Sequence, residues 1–243
     1  MKSMKMKSAD MPLAKPFALG RVLGLLAGSL WIAGAGQTAL GAYVFTVDSS
    51  QSRVSISGNV MGAPIRAQGS GSLTAQYGGT LIADVSGDML RFPGQSEVVA
   101  MDSGSWEPQS DGSSGSESAN YGGTASYFST TGVAALRDLE VDVTSDALAL
   151  VNGSFNTQGI TVSIPGGASS SMAYRVRGAI NESGAVALGG QSASGQSAQG
   201  SLTTVGNQQV LTIPINYRFH FSLASPDDTT VDLTGQLVAI RSL

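Results

Sequence analysis

The sequence predicts an all-β fold, either an antiparallel barrel or a two-sheet β-sandwich. Three observations carry this reading. Over residues 211–223 every odd position (Leu211, Ile213, Ile215, Tyr217, Phe219, Phe221, Leu223) is apolar or aromatic, a period of two that a half-buried strand requires and a helix does not produce. Shorter alternating runs recur along the chain, about ten to twelve of them, each bounded by Gly, Pro, Asn, Asp or Ser turn signals. From Tyr43 onward no segment sustains helical periodicity. One strand with an unbroken aromatic face, set in a small curved sheet, favours the barrel and would line either a filled core or a cavity.

The N-terminus stands apart. Lys2, Lys5, Lys7, Lys15 and Arg21 precede an apolar run over residues 22–32, and small residues follow through Ala42. This is the pattern of a secretory signal peptide cleaved near Ala42. The alternative is an uncleaved N-terminal anchor, if the apolar run extends through Gly36. The expected organisation is a signal peptide over 1–42 and a single all-β domain over 43–243, secreted or periplasmic, with no membrane span once the leader is removed. All four lysines lie in the leader, so the remainder carries eight arginines against sixteen Asp and Glu, a net charge near −8. That balance argues against nucleic acid and anionic membrane surfaces as partners. With no cysteine in the chain, an exported domain must be held by packing alone.

Taken in order, Tyr43, Phe45 and Val47 share one parity and Val54, Ile56 and Val60 the other. Asp48-Ser49-Ser50 supplies the break that a parity switch needs. Leu73 and Ala75, then Leu81, Ala83 and Val85, read as a hairpin about Tyr77-Gly78-Gly79, with Gln76 opposite Thr80 and Gly79 in the left-handed conformation. Leu90 and Phe92 lead into a Pro93-Gly94 turn and a short strand over 98–101. Residues 102–132, dominated by Ser and Gly, are expected to form a long surface loop packed at its edges through Trp106, Tyr121, Tyr127 and Phe128. Leu139, Val141 and Val143 resume the pattern, which turns near Ser145-Asp146 and runs over 147–151 into the tight-hairpin dipeptide Asn152-Gly153.

Ile160, Val162 and Ile164 alternate up to Pro165-Gly166-Gly167. Met172, Tyr174, Val176 and Ile180 make a further strand with Arg175 and Arg177 on its opposite face, and residues 181–184 turn it back into Val186 and Leu188. Residues 189–201 are a second, uncharged Ser/Gly-rich loop, expected to be mobile. The 211–223 ribbon then forms a terminal hairpin with Val231, Leu233, Leu237 and Ala239 after a turn at 225–228. Pairing Leu223 with Val231 puts Phe219 opposite Gly235, an aromatic ring covering a residue with no side chain. Pro214 lacks an N–H and is expected at an edge or bulge.

Candidate chemistry is sparse. His220, the only histidine, shares the even face of the long strand with Asn216, Arg218 and Ser222. It has no adjacent carboxylate to orient it and no second ligand type for a metal, so it reads as a solvated residue; Asp227 or Asp228 is the available partner across the turn. Asp138, Glu140 and Asp142 alternate with Leu139, Val141 and Val143 and read as a solvated outer row, about 7 Å apart and too extended for calcium. The acids Asp102, Glu107, Asp111 and Glu117 lie in a loop but follow no calcium-loop pattern. No Gly-x-Ser-x-Gly elbow is present, and no catalytic residue, metal or cofactor is assigned. Asn152-Gly153-Ser154 and Asn181-Glu182-Ser183 match the N-glycosylation pattern at predicted turns.

The segment Phe45-Thr46-Val47-Asp48-Ser49-Ser50-Gln51-Ser52-Arg53-Val54-Ser55-Ile56 resembles the opening strand motif of the YceI-like family of exported bacterial proteins. That motif runs from an aromatic through a hydrophobic-Asp pair to His-Ser and alternating apolar residues; Gln51 stands here where the family has His. Thr80-Leu81-Ile82-Ala83-Asp84 after its Gly-rich turn fits more loosely, and the Ser/Gly insertions are foreign to the family. The resemblance implies an extended antiparallel barrel of lipocalin type that holds a long isoprenoid or other apolar chain. Ile213, Ile215, Tyr217, Phe219 and Phe221 would then wall the cavity. The alternative is a structural or adhesive surface or matrix protein with the same face packed solid and no small-molecule ligand. Whether the sheet interior is empty or full separates the two.

Overall fold

The computed structural model describes residues 41–60, 62–221 and 229–243, without the side chains of 220, 221 and 229. The expected leader up to residue 40, the turn at 225–228 and the side chains of His220 and Phe221 lie outside the described residues. In chain order the strands are β1 (Gly41–Val47), β2 (Arg53–Val60), β3 (Ala63–Pro64), β4 (Arg66–Ala67), β5 (Thr74–Ser86), β6 (Met89–Arg91) and β7 (Glu97–Ala100). There follow β8 (Gly104–Trp106), β9 (Glu117–Ala119), β10 (Tyr121–Tyr127), β11 (Thr130–Arg137), β12 (Glu140–Ser145), β13 (Leu148–Ala149) and β14 (Ser154–Asn156). After one 3-10 turn come β15 (Ile160–Ser163), β16 (Ser171–Arg177), β17 (Glu182–Ala187), β18 (Ser192–Ser194), β19 (Gln199–Val205), β20 (Gln208–Phe221) and β21 (Thr229–Ser242).

The fold is all-β and antiparallel, and it fits the two-sheet alternative rather than a clear barrel. The main sheet runs β14-β19-β20-β21-β1-β5-β7-β12-β15-β18, and a five-stranded sheet runs β17-β16-β11-β10-β4. The main ladder ends at β14 and β18, yet the sheet curls: Gln196 N, just past β18, donates to Asn216 O of β20 at 3.0 Å. Its concave side collects one core containing Phe45, Leu81, Phe92, Val98, Val143, Ile160 and the odd residues of β20. The alternation that predicted β20 is observed, with Leu211, Ile213, Ile215, Tyr217 and Phe219 all buried and the residues between them more exposed.

β21 is the hub, paired along one edge with β20 and along the other with β2 and then β1. Thr46 faces Ile240 and Arg53 faces Gln236, so seven residues on one side answer four on the other. The break at 48–52 is thus a three-residue excursion within one long ribbon, and an odd insertion is what flips the buried parity from Phe45 and Val47 to Val54 and Ile56. Asp48 holds the excursion by accepting from Ser50 N at 2.9 Å and Ser50 Oγ at 2.6 Å. Ser52, fully buried, closes it: its Oγ donates to Val238 O at 3.1 Å and accepts from Val238 N at 2.9 Å. The residues that carry the family resemblance therefore have a local structural task.

Four sequence expectations are corrected. The terminal hairpin is offset, with Phe219 opposite Val231 and Ile215 opposite Gly235. The glycine is required by the other neighbour, since a Cβ at Gly235 would collide with Arg53 O of β2. Residues 77–79 are no hairpin: β5 runs straight through them, pairing with β2 before and β1 after. Gly79, at φ 99°, is where β7 presses closest, a Cβ there colliding with Glu97 O. The two Ser/Gly-rich segments expected as loops, 102–132 and 189–201, are built in large part into sheets, through β8 to β11 and through β18 and β19, with 107–116 and 195–198 left between strands. Ser and Gly offered no apolar alternation there, and the pairing follows from backbone hydrogen bonds and neighbours distant in sequence. Pro214 behaves as expected, two residues beyond Thr212, the last β20 residue paired with β19. Asn152 and Gly153, at φ 52° and 74°, form the expected tight turn between Val151 and Ser154.

The sheets are joined by a buried polar contact. Tyr121 Oη of β10 donates to Val54 O of β2 at 3.0 Å, and Tyr77 Oη of β5 lies 3.0 Å from Tyr121 Oη. Burial pushes the Tyr77 phenol up to about 12 from 10.0 and raises that of Tyr121 further. A group whose folded pKa is raised contributes stability in full below its unfolded pKa and loses it as pH rises toward the folded value. Unfolding free energy from urea titration should therefore fall between about pH 10 and 12, with a shallower fall in the Tyr77→Phe variant; an identical slope in both would remove this pair as the cause. The adjacent glycines of β5 give a second test. Gly79→Ala should cost more than about 2 kcal/mol, whereas Gly78→Ala, with nothing within 4 Å of its Cβ, should stay within about 0.5 kcal/mol. Equal effects in thermal or urea unfolding would contradict the close β5–β7 approach.

Candidate functional site

The residues predicted to wall a cavity are brought together, but as packing. Ile213 and Tyr217 are each 1 % exposed and Ile215 and Phe219 are 6 % and 7 %, all within the main core alongside Val54, Tyr77, Leu233 and Leu237. The cavity lined by Ile215, Tyr217 and these neighbours, with Val141 and Val162, is about 20 Å³, about the size of one water molecule. Tyr217 Oη is buried without a hydrogen-bond partner among the described residues, and burial raises its pKa. The side chain of Phe221 lies outside the described residues.

One acid of the row expected to be solvated, and two of the loop acids, accept hydrogen bonds within the protein. Asp142 caps the turn before β7, accepting from Gln95 N at 3.1 Å and Ser96 N at 2.9 Å, which corrects its reading as part of a solvated row. Asp102 accepts from Ser118 Oγ at 2.6 Å and Asn120 Nδ2 at 3.2 Å. Glu117 accepts from Ser110 N at 2.6 Å; that N–H, helped by the charge of Arg137, holds its carboxyl below the ordinary range.

The feature that the sequence reading missed is a third layer built by residues 102–119. It covers the face of the five-stranded sheet that points away from the main core. Trp106 packs against β10, where a Cβ at Gly122 would collide with its side chain, as would one at Gly71. Gln68 clamps the chain beside it, donating to Glu107 O at 2.6 Å and accepting from Glu107 N at 3.0 Å. Beneath the layer, Arg137 of β11 is 6 % exposed and donates to Ser118 O at 3.1 Å and Pro108 O at 2.6 Å. A buried guanidinium with its Nε and Nη2 on loop carbonyls, its Nη1 having no hydrogen-bond partner among the described residues, gives a Ser/Gly segment the hydrogen bonds that an apolar core would otherwise replace.

Where this layer ends, its tip and the β16–β17 hairpin enclose an open groove of about 290 Å³. Ser113, Ser114, Arg175, Arg177, Asn181 and Ser183 line it. Arg175 Nη2 donates to Glu107 Oε2 at 2.6 Å and Arg177 Nη2 to Ser114 Oγ at 3.2 Å. The alternation of β16 had already placed both arginines on one face; their cover, contributed from sixty residues away along the chain, has no local sequence signal. Comparison with protein-family models, curated proteins and solved structures gave no match to this chain.

Arg137→Met should lower stability by about 3 kcal/mol, because Pro108 O and Ser118 O lose their donor. Trp106, the only tryptophan after the expected leader, should shift its emission to the red as the layer loosens. Urea unfolding followed by fluorescence checks both, and a change below about 0.5 kcal/mol with unshifted emission would show that the guanidinium does not hold the layer.

Proposed function

We propose that the protein is an exported, non-catalytic β-protein of structural or adhesive type, with a solid interior, rather than a carrier of a long apolar chain. The observation that supports this is the burial of Ile213, Ile215, Tyr217 and Phe219, with a cavity of only about 20 Å³ beside Ile215 and Tyr217. Pockets for small molecules run to roughly 300–1,000 Å³, so an isoprenoid or acyl chain on this face would need the core to open. The leader pattern over 1–42 supports export. Folded Ser/Gly-rich layers and a mature charge near −8 suit a chain that stays soluble while presenting polar surface. The carrier reading rests on the likeness of residues 45–56 to the YceI-like motif, and in this chain Asp48 and Ser52 of that motif serve the excursion between β1 and β2.

Native mass spectrometry of the purified exported protein, followed by organic extraction, tests the proposal. The expected result is the mass of the bare chain with no uptake of added farnesol or palmitate. A stoichiometric apolar molecule in the extract would overturn the proposal in favour of the carrier.

A further inference from the structure

The groove between residues 112–114 and the β16–β17 hairpin has the features of a preformed anion site. One wall is held by its own hydrogen bonds. Gln109 N donates to Ser113 O at 3.1 Å, Ser113 Oγ to Gln109 Oε1 at 2.8 Å and Ser113 N to Asp111 Oδ1 at 2.8 Å. The tip sits directly on β17, since a Cβ at Gly112 would lie 2.5 Å from Gly184 N. Ser113 is thereby held opposite the hairpin by contacts within the protein itself.

The floor carries the charge. Arg175 and Arg177 are two apart on one strand, so they leave the same face about 7 Å apart. Arg175 is answered by Glu107, but its Nη1 is buried without a hydrogen-bond partner. Arg177 is exposed, and its described contact is to the neutral Ser114 hydroxyl, with no carboxylate partner among the described residues. In a chain with twice as many acids as arginines after the leader, a guanidinium left facing a groove is available to an incoming anion. Glu182 at the rim is turned to Tyr174 Oη, which donates to it at 3.0 Å.

We propose that this groove binds the anionic group of an acidic saccharide, with the Arg177 guanidinium on the carboxylate or sulfate and the Ser113, Ser183 and Asn181 side chains on ring hydroxyls. Guanidinium geometry matches a planar or tetrahedral oxyanion, and hydroxyl and amide groups can both donate to and accept from sugar hydroxyls. A volume of about 290 Å³ suits one or two sugar units rather than a long chain. One arginine without a carboxylate partner in this groove does not supply the row of phosphate contacts that nucleic acid needs. The inference deepens the structural or adhesive reading and rests on it for the setting in which such a sugar is met.

Isothermal titration of the purified exported protein at low ionic strength, with trigalacturonic acid, dextran sulfate and neutral dextran in separate arms, tests it. Binding of trigalacturonic acid or of dextran sulfate supports the proposal and identifies the anion as carboxylate or sulfate. Arg177→Gln should weaken that binding at least tenfold with an unchanged melting temperature, Arg177→Lys should weaken it less, and Arg91→Gln, an exposed arginine elsewhere, should leave it unchanged. Absence of binding in both anionic arms, equal binding of neutral dextran, or equal losses in the Arg177 and Arg91 variants would overturn it. None of these outcomes bears on the solid core, which the extraction experiment decides independently.

Discussion

The register of β21 between its two neighbours is the constraint on which the rest of the structure depends. One residue sets it most sharply. Gly235 stands where β2 comes so close that a side chain would strike Arg53 O, and the pairing of Ile215 with Gly235 carries the same register into β20. A slip of one residue would turn Leu211, Ile213, Ile215 and Tyr217 out of the core together, because side chains alternate with a period of two. Ser52 adds a second lock, exchanging hydrogen bonds with both the N–H and the carbonyl of Val238. With the ribbon fixed in this way, β5 can run across the 48–52 excursion and bring Tyr77 to Tyr121, where the second sheet attaches.

The second sheet is stabilised by different means on its two faces. Toward the main core it offers Tyr121, Leu136 and Met172, an apolar surface with one polar link. On its far side it buries Arg137 and half-buries Arg175, a costly choice unless each charge finds acceptors. Residues 102–119 supply acceptors to one side of each, through backbone carbonyls for Arg137 and the Glu107 carboxylate for Arg175, while Nη1 of both has no hydrogen-bond partner among the described residues. A segment poor in apolar residues can be ordered this way because its backbone polar groups, rather than its side chains, make the decisive contacts.

Much of the fold was legible from periodicity. The buried face of β20, the parity change near Asp48, the Asn152-Gly153 turn and the placement of Pro214 all follow from local rules that residue type expresses directly. What was not legible depended on partners remote in sequence. Gly78-Gly79 looks like a turn because its signal is the same as that of a close approach between strands, and only β7 distinguishes the two. Pairing Leu223 with Val231 about a turn at 225–228 misplaces the hairpin register, which has Phe219 opposite Val231 and Gly235 opposite Ile215, the glycine being required by β2. The third layer was hidden because Ser and Gly carry no alternation, although Trp106 and Tyr121 signalled that the segment packs against something. The groove is one step further removed, since it exists only where that layer meets the β16–β17 hairpin.

The functional account turns on whether the aromatic face of β20 is packed or lines a chamber. A wall of a ligand cavity already lacks neighbours on one side, so truncating it costs little, whereas truncation inside a close-packed core loses transfer free energy and leaves a void. The most direct measurement is the urea-derived stability of Ile215→Ala, which replaces a residue beside the void of about 20 Å³. The account expects a loss of about 2–5 kcal/mol. A loss below about 1 kcal/mol, accompanied by uptake of an apolar probe by the unaltered protein, would contradict it.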